Sequence, residues 1–86
     1  MDDAACVREF ERLAERLGIE IRSVSEAHSG LCTVRGRKIL FLEKGLDAAG
    51  ALHVFVQEFR GFDLRGMFIV PAIRKHLGME DERADW

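Results

Sequence analysis

Residues 30–43 read GLCTVRGRKILFLE, and the fold turns on this stretch. Residues 31–34 are few and rich in strand formers. Arg35-Gly36 then offers a two-residue turn, with glycine free to take the positive φ of a tight hairpin. Arginine is a poorer first turn residue than Asn or Asp, which leaves a three-residue loop open as well. Residues 38–42 follow as a second strand, nearly all apolar through Ile39-Leu40-Phe41-Leu42. Successive strand residues point to opposite faces, so Leu40 and Leu42 share one face while Ile39 and Phe41 share the other. A strand apolar on both faces belongs at the centre of a sheet, or is covered on its second face by a helix or a partner.

Upstream of the hairpin, residues 19–24 alternate. Ile19, Ile21 and Ser23 point one way and Glu20, Arg22 and Val24 the other, the pattern of a half-buried strand. The polar run SEAHSG, residues 25–30, reads as the loop between them. The simplest arrangement of these three strands is an antiparallel meander.

Helices flank the strands. Val7, Phe10, Leu13, Ala14 and Leu17 recur at spacings of three and four, with Cys6 bordering the stripe. This is an amphipathic helix, capped by Asp2 or Asp3 and stopped at Gly18. Arg8, Glu11, Arg12, Glu15 and Arg16 cover its outer face, with Arg8–Glu11 and Arg12–Glu15 spaced to pair. Downstream, Asp47 caps a second helix over residues 48–60 with the stripe Leu52, Phe55, Val56, Phe59, and Leu46 packs over its first turn. Gly50 weakens that helix by about 1 kcal/mol relative to alanine. Phe62 and Leu64 anchor a turn, residues 67–70 extend as a short last strand or extended segment, and Pro71 opens a helix over residues 71–77. The expectation is an α+β fold: helix, three-stranded antiparallel meander, helix, extended segment, C-terminal helix, with the helices packed on one face of the sheet. Residues 1–78 form one domain, and residues 79–86 form an acidic tail ending in Trp86, read as either docked or free.

The chain has 86 residues, 48% of them hydrophobic, and a net charge of −2. That size supports one core with a small margin of stability, which raises the weight of a homodimer. The charge argues against a dedicated nucleic-acid binder, since affinity for phosphates rests on basic residues. Two distant cysteines fit a reducing cytosol better than a disulfide scaffold. Met1 is followed by Asp2 and Asp3, unlike a signal peptide, and no apolar run is long enough to cross a bilayer. A cytoplasmic protein without a membrane partner is expected.

Chemical motifs are few. His53 sits in LHVFVQEF without a second histidine four residues on, so HExxH is missing, as are CxxC and the phosphate-binding glycine loops. No catalytic, metal or cofactor residue is assigned, and no cofactor is expected. Glu9, Glu11, Glu58 and Asp63 read as surface salt-bridge formers. Cys6 and Cys32 read as buried and inert. A reactive Cys32 would need exposure and a positive neighbour such as His28, Arg35 or Arg37. The basic hairpin tip, Arg35, Arg37 and Lys38, is the candidate nucleic-acid contact, although no aromatic residues interleave with it as in RNA-binding sheets. Apolar surplus gives the candidate interface: Leu40 and Leu42 on the hairpin, and Phe62, Met67 and Phe68 downstream.

LGIEIR, then GLCTVRGRKILFL, then FDLRGMFIVPAIRKHLG are together similar to small bacterial proteins of unknown function built as a helix, a GLC-type hairpin, a helix and a PxxR segment. The resemblance spans residues 17–78 and implies that architecture, with no activity attached. The hairpin followed by the His53 helix also resembles the start of zinc metallopeptidases that accompany phage-like repressors. His53-Val54-Phe55-Val56-Gln57 lacks their glutamate and second histidine, so that resemblance implies a non-catalytic relative. The expected function is non-enzymatic: self-association or protein–protein interaction, with an accessory role on nucleic acid as the alternative.

Overall fold

A computed structural model describes residues 1–79 of the chain. Its elements run α1 (Asp3–Arg16), β1 (Glu20–Val24), β2 (Gly30–Val34), β3 (Arg37–Glu43), α2 (Ala48–Phe59) and α3 (Pro71–His76). The expected α+β class and element order hold. Of the tail only Met79 is described; residues 80–86, Trp86 among them, lie outside the described residues.

The starts of α1 and α2 and the end of α1 fall on residues whose chemistry calls for them. The Asp2 carboxylate accepts the Ala5 N–H at 2.8 Å and starts α1. Gly18, at φ 75°, closes α1, with its own N–H reaching the Glu15 carbonyl at 3.1 Å and that of Ile19 reaching Ala14 at 2.9 Å. On its outer face Arg12 pairs with Glu9, one turn back, and not with Glu15. Asp47 caps α2 by accepting the Gly50 N–H at 2.8 Å. A Cβ on Gly50 would stand 3.0 Å from a Leu46 methyl and 3.2 Å from the Asp47 carboxylate. The glycine that weakens the helix therefore leaves room for its cap and for Leu46.

The hairpin turn is the two-residue form. Arg35 and Gly36 both take positive φ, 53° and 80°, as a type I′ turn requires. Val34 and Arg37 face each other across it.

Strand order departs from the sequential meander. The sheet runs β1-β3-β2, with β2 antiparallel to β3 and β1 parallel to it. The doubly apolar strand takes the centre, and the connection between β1 and β2 yields to it. Two strand spacings are about 10 Å, whereas the five residues 25–29 reach up to roughly 17 Å, so the loop has length to cross the end of β3. The crossing is pinned there: Glu43 N–H donates to the Ser29 hydroxyl at 2.9 Å, and Ser29 N–H donates to the Glu43 carboxylate at 3.3 Å.

On one face of the sheet, Ile21, Leu40 and Leu31 stand side by side in register. They pack into the cluster formed by Phe10, Leu13, Leu52, Phe55 and Phe59 from α1 and α2. Phe10 stacks on Phe55 at 5.3 Å and meets Phe59 edge-on at 5.4 Å, which fixes how the two helices sit together. Residues 67–70 form no strand. Ile69 is buried and anchors the segment, while Phe68 beside it is 73% exposed.

Candidate functional site

The sheet has two edges, and the chain treats them differently. The parity of β3 decides which backbone groups face out. The Lys44 N–H donates to the Val24 carbonyl at 2.8 Å, which turns Val24 and, by alternation, Arg22 and Glu20 toward β3. Ile21 and Ser23 then point their N–H and C=O groups away from the sheet. On the other side, Val34 faces Arg37 in the bonded pair that closes the hairpin, so Leu31 and Thr33 point outward from β2.

The β2 edge is capped at Leu31 alone, since among the described residues no hydrogen bond reaches the outward groups of Thr33. Glu58, on α2, accepts the outward Leu31 N–H at 2.9 Å. This is a role the sequence pattern did not reveal, because it depends on α2 lying over β2. Among the described residues no hydrogen bond reaches the outward groups of Ile21 or Ser23. Ile21 is half-buried while Arg22 and Ser23 are exposed, so no described element closes this edge.

The face of the sheet away from the helices carries Glu20, Arg22 and Val24 of β1, Arg37, Ile39 and Phe41 of β3, and Cys32 and Val34 of β2. Ile39 is only 4% exposed even here. Phe41 is half-buried and Val34 is 45% exposed. Glu20 binds Arg22 and lies 3.5 Å from Arg37. The hydrogen bond from Arg22 holds the Glu20 carboxyl below its ordinary range and raises the arginine in turn.

The candidate interface residues divide sharply. Leu40 is completely buried beneath the helices and is closed to any partner, because the helix-covered face is the Leu40 face. Leu42, Phe62 and Met67 are half-buried against the core. Phe62 also stacks on Phe59 at 5.3 Å, with the Lys38 ammonium 5.1 Å from its ring centroid. Phe68 alone among them is exposed, held by an Arg16 guanidinium that donates to its carbonyl at 2.8 Å. Beside it lies a groove of about 150 Å³ floored by Leu13, Ile69, Val70 and Ile73.

The basic tip does not form one patch. Strand alternation sends Arg37 to the open face, where it pairs with Glu20, and Lys38 to the helix side, over Phe62. Arg35 lies in the turn itself. The remaining candidates also stay apart. Cys32 is exposed on the open face rather than buried, since it faces away from the helices opposite Ile39. Cys6 is buried in the core, and burial pushes its thiol up from the ordinary range. His53 is exposed near Gln57, and Asp63 chelates Arg65 through bonds of 2.9 and 3.0 Å. Among the described residues no cluster of His, Cys, Asp or Glu is placed to hold a metal ion, and no helix is long and apolar enough to cross a membrane. No family model, no curated protein and no solved structure matches this chain.

Proposed function

We propose that this is a small, non-enzymatic cytoplasmic protein that works by self-association. One observation carries the reading: among the described residues no hydrogen bond reaches any outward backbone group of Ile21 or Ser23 on the β1 edge, while on the β2 edge Glu58 takes the Leu31 N–H. An open strand edge is a template for another extended chain, and chains that stay monomeric usually block both edges. The exposed Phe68 adds apolar area that a second copy is able to cover. The separation of Arg37 from Lys38 weakens the nucleic-acid alternative, because no run of adjacent cations is left to track a phosphate backbone.

Sedimentation of the full chain across micromolar to millimolar concentrations tests this. Self-association moves the apparent mass up from 9.8 kDa as concentration rises. A mass that stays at the monomer value throughout rejects the reading.

A further inference from the structure

We infer that two copies join by antiparallel pairing of their β1 strands about a two-fold axis at Arg22, merging their three-stranded sheets into one. This inference rests on the self-association reading and names its surface and its register.

The register follows from which groups face out. Only Ile21 and Ser23 offer both outward N–H and outward C=O groups within β1. With Arg22 on the axis, Ile21 of each copy lies opposite Ser23 of the other, and each such pair exchanges two hydrogen bonds. A shift by one residue would place inward-turned groups at the joint and lose these bonds. On the helix side, Ile21 gains cover for the part of its side chain that α1 leaves exposed.

A second copy brings complementary charges together on the diagonals of the joint. Glu20, Arg22 and Val24 share the open face. In the proposed register each Glu20 lies opposite the second copy's Val24 and diagonal to its Arg22. The two arginines meet at the axis as a like-charge pair, which the carboxylates offset, each arginine being flanked by its own Glu20 and that of the second copy. Arg37 of β3 stands near the same Glu20 and adds positive charge on the inner side. The contact is isologous and closes at two copies, since the two-fold joint uses up the β1 edge of both chains.

Proline at position 23 separates this contact from the fold. The Ser23 N–H faces away from β3, so Ser23→Pro removes a donor of the joint without removing one from the sheet. Thr33→Pro makes the equivalent change on the outward side of β2. Sedimentation of the wild-type chain, Ser23→Pro, Thr33→Pro, Arg22→Glu and Phe68→Ser, with far-UV circular dichroism of each, gives the test. Ser23→Pro and Arg22→Glu are expected to keep the wild-type spectrum and to weaken association at least about tenfold, while Thr33→Pro associates as wild type does. Arg22→Glu gathers four carboxylates at the joint and decides the matter if Ser23→Pro does not fold. Wild-type association that survives in a folded Ser23→Pro or Arg22→Glu variant, or that is lost in Phe68→Ser alone, overturns the β1 joint while leaving self-association standing. A wild-type chain that is monomeric at every concentration overturns both.

Discussion

Leu40 and Phe41 are neighbours in β3, and truncating each in turn reads out which face of the sheet is covered. Leu40 is completely buried between Ile21 and Leu31 under α1 and α2. Leu40→Ala removes its transfer energy and leaves a cavity, a change that costs about 3–4 kcal/mol for a site closed on all sides. Phe41 is the larger side chain but is only half-buried, on the face without helices. Phe41→Ala loses roughly half the burial of a core phenylalanine and opens no closed cavity, so about 1–2 kcal/mol is expected. A chain of this size has a total stability of roughly 4–13 kcal/mol, which makes Leu40→Ala a severe lesion. It lowers the melting temperature by roughly 12–32 °C, against about 4–16 °C for Phe41→Ala. Urea unfolding, with both variants compared at a shared slope, measures the two costs. A Phe41→Ala cost equal to or above that of Leu40→Ala refutes the assignment of faces.

Other expectations follow from single contacts. Glu58→Ala leaves the Leu31 N–H without its acceptor and costs about 1 kcal/mol, with faster exchange of that amide in NMR spectra. Arg35→Asn relieves an ordinary residue held at positive φ and stabilises by about 0.5–1 kcal/mol in urea unfolding, while Gly36→Ala, at φ 80°, destabilises by about 1–2 kcal/mol. A thiol reagent labels Cys32 in the native protein and reaches Cys6 only at the rate of unfolding, because Cys6 is buried and its thiol is pushed toward the unreactive neutral form. The Asp63 carboxyl is held at about 2 by Arg65, below its ordinary 3.8. Its contribution to stability is therefore present above about 3.8 and is lost as pH falls toward about 2. Asp63→Asn removes that part of the acid limb of a stability–pH curve, an effect that added salt also shrinks because the pair is exposed.

Much of the architecture was legible in the chain. The stripe from Val7 to Leu17 and the one from Leu52 to Phe59 each mark a helix face, and Asp2, Gly18 and Asp47 mark helix ends, because periodicity and capping act over a few residues. The central place of β3 was also written in Ile39-Leu40-Phe41-Leu42. Strand pairing was not, since nothing within residues 19–24 encodes whether their partner is the next strand or the one after. The same double apolarity hid which face the helices cover, and so Leu40 reads as interface when it is core. Arg37 and Lys38 could have been parted from the sequence, as adjacent strand residues point to opposite faces. The capping of Leu31 by Glu58 depends on where α2 comes to rest over β2, which no local pattern records.

The amides of Ile21 and Ser23 report most directly on the central claim. Their hydrogen exchange, followed residue by residue at low and at high protein concentration, separates an open edge from a paired one. The account predicts rapid exchange in dilute protein and protection of both amides as concentration rises, with Thr33 unchanged. Rapid exchange of Ile21 and Ser23 at both concentrations, in a sample that sedimentation reports as associated, contradicts it.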